Sequence, residues 1–197
     1  MADIQISMQC RECSKEYSVP FNGIINVSDE AELRGRVASG EYFLHECPFC
    51  GTKNLIPVQS CLYHDAEGKI MIVLSPVKVR MEDVPQDYTC RMVGSIGEMI
   101  EKVKIFSASL DDVVIEMCKY VLRGEMKKDV DLKFVGISGA DSEMTFTYPQ
   151  NSRMEMIAVG FNVYEDCAGI VRRNPELHEA ARGCVTVDKD WLKKFFA

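Results

Sequence analysis

The chain has 197 residues, of which 47% are hydrophobic, 27% charged and 9% aromatic, the make-up of a globular protein with material for one large domain or two small ones. Its 13 glycines and 7 prolines are too few for a fibrous or low-complexity chain. With 23 basic against 30 acidic side chains, a net charge of −7, every third of the sequence holds more acid than base. A protein that grips phosphates needs a basic stripe, so nucleic acid is not the expected partner.

No run approaches the ~18 apolar residues of a membrane span, the best being Ile70-Met71-Ile72-Val73-Leu74. Met1–Ile6 has neither a basic nor an apolar leader region, so no signal peptide is expected. The nine cysteines are odd in number. Together these argue against a disulfide framework and for a reducing, cytoplasmic setting.

In chain order, residues 2–8 alternate Ile4, Ile6 and Met8 with polar neighbours, which predicts a strand running into Cys10. A second extended piece covers 16–27, broken by Pro20 and Asn22-Gly23. Asp29 and Glu32 form a capping box for a short helix that should stop at Gly40. Strands are expected at 41–46, 54–63 and 69–75, the last two around the turn Asp65–Gly68. Segment 76–94, with two prolines, reads as irregular or edge structure. Ser95 and Glu98 form a second capping box, opening a helix with Ile96, Met99, Ile100 and Val103 on one face. Ser109 begins the next helix, with Leu110, Val113, Val114, Met117 and Val121 as its apolar stripe and Gly124 as its end. The two read as a helical hairpin. Strands at 130–137, 143–148 and 153–159 then form a small antiparallel sheet, followed by a helix at 161–172 and a short strand at 184–187. A last helix, capped by Asp188 and carrying Trp191, Leu192 and Phe195, closes the chain.

The strongest chemical signal is Cys10-Arg11-Glu12-Cys13 paired with Cys47-Pro48-Phe49-Cys50-Gly51. A two-residue spacer lets both sulfurs of one turn reach a single ion about 2.3 Å away, and two such turns complete a tetrahedral cage. Gly51 can take the left-handed conformation that ends the turn. The gap of 33 residues between the pairs exceeds the usual spacing, and the short helix near 30–38 would occupy the excess. Cys10, Cys13, Cys47 and Cys50 are therefore the expected metal ligands. A closed thiolate cage suits a structural Zn2+, with iron as the rival because the second turn is also rubredoxin-like.

These two turns precede Leu62-Tyr63-His64-Asp65, Arg91-Met92-Val93, Glu98, Glu101-Lys102 and Leu110–Glu116. Over about residues 5–125 the whole resembles the bacterial CpXC domain. The resemblance implies a zinc-ribbon-like start and a helical hairpin, and it implies no particular activity. The first turn lacks the proline that names the family. The tail beyond 126 resembles, with less specificity, the α/β extension of relatives.

Other residues invite sharper readings. Cys61-x-x-His64 has ligand-like spacing, but residues three apart on a strand face opposite sides. His64 with Asp65 or a cysteine would need a third orienting group for catalysis, so a hydrogen-bonded hairpin-end histidine is the favoured reading. His45 is expected on the exposed face of a strand, and His178 has no supporting neighbour. Asp111, Asp112 and Glu116 could bind a cation, yet acids near a helix N-terminus are favoured by its dipole anyway. Cys90, Cys118, Cys167 and Cys184 are expected singly in the core, as are Met81, Met92, Met144, Met154 and Met156.

The expected fold class is α+β: a zinc-ribbon-like β head with a helical hairpin (1–126), then a small α/β C-terminal region (127–197). The expected role is a non-catalytic binding or adaptor module for other proteins. The alternative is a thiol-redox or hydrolytic enzyme built on the CxxC pairs or His64.

Overall fold

The structure, a computed structural model, describes residues 4–28, 30–75, 84–139 and 142–196. The chain opens with β1 (Ile4–Gln9) and β2 (Glu16–Phe21), an antiparallel pair whose alternation turns Met8, Val19 and Phe21 inward. Strand β3 (Ile24–Asn26) follows the Asn22-Gly23 break. Helix α1 (Ala31–Ser39) ends where Gly40 takes a φ of +82° and its N–H bonds to the Val37 carbonyl, as the sequence predicts. The expected cap residue Asp29 lies outside the described residues, and Glu30 holds the N-cap position. The strand expected over 41–46 is half 3-10 turn (Glu41–Phe43) and half strand, β4 (Leu44–Glu46), because the turn swings Phe43 into the core. Strand β5 (Lys53–Leu55) pairs with β4, and β6 (Cys61–Asp65) starts anew after Pro57, so the expected 54–63 run is two strands.

Strands β6 and β7 (Ile70–Leu74) form a hairpin whose turn is fixed by Gly68 N–H donating to Asp65 Oδ1 at 2.9 Å. Strand β8 (Thr89–Val93) corrects the reading of 76–94: it lies in the sheet interior beside β7, because Pro85 precedes the paired residues. Residues 76–83 lie outside the described residues.

Helix α2 (Ile96–Ser107) is capped by Ser95, whose hydroxyl accepts from Glu98 N–H at 3.2 Å. Glu98 in return accepts from Gly94 N–H at 2.8 Å, so the box closes one residue earlier than the motif implies. Helix α3 (Asp112–Met126) starts later than expected. Ser109 sits in the turn with a φ of +56°, and Asp111 is the cap, accepting from Val113 N–H at 2.8 Å. Gly124 does not stop the helix, which runs on to a left-handed Lys127.

The C-terminal strands β9 (Lys133–Ser138), β10 (Glu143–Gln150) and β11 (Arg153–Val159) form the predicted antiparallel sheet in the order β11-β10-β9. Helix α4 (Asn162–Arg173), the unanticipated short α5 (Glu176–Ala180), strand β12 (Cys184–Val185) and α6 (Lys189–Lys193) complete the chain. Asp188 caps α6 as predicted, accepting from Trp191 N–H at 2.7 Å.

The result is a mixed α+β architecture with several sheets and six α-helices among the described residues. The five-stranded sheet, ordered β12-β8-β7-β6-β3, is closed by the C-terminal β12, parallel to β8. One core gathers β1–β3, α1, β6–β8 and one face of α2. A second packs α3 against β9, β10, α4 and α6. Helix α3 is buried on nearly every side from Asp112 to Lys119. Met144 is core as expected, but Met154 and Met156 are 62% and 72% exposed on β11, at the sheet edge. Met81 is outside the described residues. No helix of the described residues is long and apolar enough to cross a membrane.

Candidate metal centre

Both CxxC segments sit at hairpin tips, Cys10–Cys13 between β1 and β2 and Cys47–Cys50 between β4 and β5. The two turns are built alike. Cys10 N–H donates to the Lys15 carbonyl (3.0 Å) and Ser14 N–H to the Cys10 carbonyl (3.0 Å). Cys47 N–H likewise donates to Thr52, and Gly51 N–H to Cys47, both at 2.9 Å. Gly51 has the predicted positive φ, +75°, and Ser14 takes the same conformation at +58° without being glycine.

The four sulfurs lie within 4.8 Å of one another and can hold a metal ion. Across the turns, Cys10 Sγ is 3.6 Å from Cys50 Sγ and Cys13 Sγ is 3.7 Å from Cys47 Sγ. A tetrahedral ion with bonds of 2.3 Å needs sulfur–sulfur edges of about 3.8 Å, close to these two cross-turn distances. The first cysteine of each turn is buried, while Cys13 is half-buried and Cys50 exposed.

Asn54, buried on β5, ties the turns together. Its Oδ1 accepts from Arg11 N–H at 3.0 Å, and its Nδ2 donates to the Thr52 carbonyl (2.7 Å) and Tyr17 hydroxyl (3.2 Å) and lies 3.6 Å from Cys10 Sγ. Sequence reading missed this residue. The only signal was an amide side chain four positions beyond Cys50. The Cys13 N–H is the main group that lowers the pKa of Cys10, to about 6 against the opposing effect of burial, with the Glu12 N–H, Cys50 and Asn54 adding to it. The Thr52 hydroxyl lowers that of Cys50. Although the Lys15 amide favours its thiolate, burial and the neighbouring sulfurs push Cys13 up to about 11. Sulfurs this close cannot all carry charge unless a cation sits among them.

His45 corrects an expectation. It is half-buried, tilted against Tyr17 with ring centres 6.0 Å apart, and its buried Nδ1 has no hydrogen-bond partner among the described residues. His64 fits the reading given to it: Nδ1 lies 3.4 Å from Asn26 Oδ1 and the ring stacks on Tyr88. Asp65 turns instead to Arg34 at 2.8 Å, and Cys61 is buried on the opposite face of β6. No His64–Asp65 or Cys61–His64 pair forms. His178, expected alone, bonds through Nε2 to Asp111 Oδ2 at 2.6 Å, because α5 folds back over the start of α3.

The three acids of α3 do not converge on a cation site. Asp112 is paired with Arg91 (2.8 and 3.0 Å) and Lys102 (2.5 Å), all buried. Glu116 meets Lys119 (2.5 Å) and Arg123 (3.1 Å), and Lys119 reaches on to Glu101 at 3.2 Å. Burial works to raise the pKa of Asp112, but Lys102 and Arg91 outweigh it and hold it at about 2. This ion network between α2 and α3 was missed. Its signal was the spacing of Asp112, Glu116, Lys119 and Arg123, every third to fourth residue on one helical stripe.

A family model described as CpXC protein matches residues 8–119, more than half of the chain, and spans both cysteine turns, strands β3 and β6–β8 of the central sheet and the first half of α3. The chain belongs to the CpXC family. Neither the curated proteins nor the solved structures contain a match. The CpXC region takes in the cysteine cluster together with Arg91, Lys102, Asp112 and Glu116, and it ends before the C-terminal sheet.

Proposed function

We propose that the cysteine cluster is a structural zinc site, with Cys10, Cys13, Cys47 and Cys50 as ligands in a zinc-ribbon-like head, and that the protein is a non-catalytic module that binds other proteins. Four thiolates fill the coordination of Zn2+ and leave no position for a substrate, which favours a structural ion over a catalytic one. Zinc is favoured over iron because only the second turn is rubredoxin-like: the first is followed by Ser14 where the second has Gly51. Such a thiolate cage persists in a reducing cytoplasm.

The observation that carries the binding role is the apolar side chains displayed by the second hairpin. Leu44 and Leu55, directly opposite each other on β4 and β5, are 39% and 58% exposed, and Phe49 at the tip is 54% exposed. Large apolar groups held out on a metal-pinned hairpin suit a protein partner better than a small molecule. We further propose that residues 1–126 are the metal-bearing unit and that 127–197 buttress it through α3.

The test places a photo-crosslinking amino acid at Leu55 in cells of the source organism, with a second copy of the experiment carrying Leu44→Asp. The expected result is one defined cross-linked protein that disappears with Leu44→Asp while zinc content and circular dichroism are unchanged. Cross-links spread over many proteins, or insensitive to Leu44→Asp, contradict the reading.

A further inference from the structure

Cys90, Cys118, Cys167 and Cys184 are not scattered singly, as the sequence suggests. Cys184 on β12 stands directly opposite Cys90 on β8 in the parallel register. In-register neighbours on adjacent strands point to the same face, and here Cys184 packs against Cys90 beside Met71 and Val73. Strand spacing puts paired Cα atoms about 4.8 Å apart, inside the range of roughly 4.4–6.8 Å that a disulfide spans. Cys118 on α3 and Cys167 on α4 form a second contact, both in the α3 core. Cys61 stands apart, its thiol pushed up to about 12 by burial.

The pairs differ in access. Cys118 and Cys167 are 0% and 2% exposed, and Cys90 is 0% exposed. Cys184 is half-buried, and the two residues before it, Arg182 and Gly183, line a cavity of about 640 Å³ with Thr89, Arg91 and His178. We propose that Cys184 and Cys90 are a redox-active dithiol that closes into a disulfide by exchange with a small anionic disulfide, locking β12 onto β8.

Cys184 is the more exposed member of the pair and Cys90 is buried; the proximity of Cys90, with Arg91 adding to it, lowers the pKa of Cys184, and that of Cys90 is raised. Cys184 is therefore the attacking thiolate. It displaces one thiolate from the small disulfide and becomes a mixed disulfide. Cys90 then attacks Cys184 Sγ and expels the second thiolate, which takes up the Cys90 proton. The balance is one protein dithiol and one small disulfide giving one protein disulfide and two small thiols. Arg182, exposed and lining the cavity, favours an anionic disulfide such as oxidised glutathione.

The test uses the full-length, zinc-loaded, reduced protein with oxidised glutathione as the probe. Remaining thiols are alkylated, and the digest is read by mass spectrometry without reduction. The expected result is loss of two alkylatable thiols per chain, a linked Cys90–Cys184 peptide, unmodified Cys118 and Cys167, and unchanged zinc. Cys184→Ser should abolish the link, Cys118→Ser should leave it, and Cys90→Ala should trap glutathione on Cys184. If Cys90→Ala does not fold, the comparison of wild type with Cys184→Ser decides alone. A wild-type reaction that stops with glutathione on Cys184, leaves Cys184 untouched, or proceeds equally in Cys184→Ser overturns the proposal.

Discussion

Around the cysteine cluster, hairpins β1–β2 and β4–β5 leave Ile4, Leu44, Phe49 and Leu55 exposed; β1–β2 buries Met8, Val19 and Phe21, whereas strands β4 and β5 bury only Asn54. The sheet β9–β11 instead lays Phe134, Met144 and Phe146 against α3, in a core shared with Leu122, Leu132, Trp191 and Leu192. Two-stranded hairpins are marginal in water without a further element; β1–β2 has the core it shares with α1, α2 and the central sheet, and on the proposed reading β4–β5 has the metal held by the four cysteines. The C-terminal sheet has an apolar face to bury and a helix to bury it on. On the proposed reading a metal-dependent region and a metal-independent one lie in one chain, joined by α3 and its buried ion pairs.

The comparison breaks most visibly at a buried ligand. Cys10→Ser or Cys47→Ser should release the metal and unfold both hairpins. Structural zinc contributes an apparent 10–16 kcal/mol in small peptides, on the scale of a whole domain's ~5–15 kcal/mol. Amide hydrogen exchange should show protection lost over β1, β2, β4 and β5 and kept over β9–β11; equal loss in both would end the distinction.

At the junction, Asp112→Ala leaves Arg91 and Lys102 buried without their carboxylate, and urea denaturation should show a loss of about 3–5 kcal/mol. The sign of the pH dependence follows from the lowered pKa of Asp112, which is held at about 2 against an ordinary 3.8. A depressed carboxylate stabilises the fold above its unfolded pKa. The stability difference between wild type and Asp112→Asn should therefore be complete above about pH 4 and vanish as pH falls toward 2.

Within the metal-independent core, Leu122→Ala removes a fully buried side chain and should cost about 2–5 kcal/mol while leaving metal content unchanged. Ser95→Ala removes only the α2 cap bond, and thermal unfolding should report a loss of about 1 kcal/mol.

What the sequence disclosed follows the same division. The cysteine turns, the Gly40 and Gly51 conformations, the Ser95 and Asp188 caps and the three C-terminal strands were legible because each rests on local spacing or local backbone chemistry. Strand β8 was not, since the nearby prolines weighed against it and its parallel partners come from sequence-distant β7 and β12. The ion network was half-legible, with the acids of α3 visible on the helix but their partners Arg91, Lys102 and Glu101 supplied by other elements. The Cys90–Cys184 and Cys118–Cys167 contacts join residues 94 and 49 positions apart, and only the folded chain brings them together. His45 and His178 were misjudged for that reason as well: Tyr17 and Asp111, their neighbours in space, are remote in sequence.

The central claim is a closed, structural zinc centre, and the most direct measurement is elemental analysis of protein purified without added metal, read beside its visible spectrum. The account predicts about one zinc per chain and no colour. One iron with a red thiolate-to-iron band, or a folded, reduced protein holding no metal at all, would contradict it.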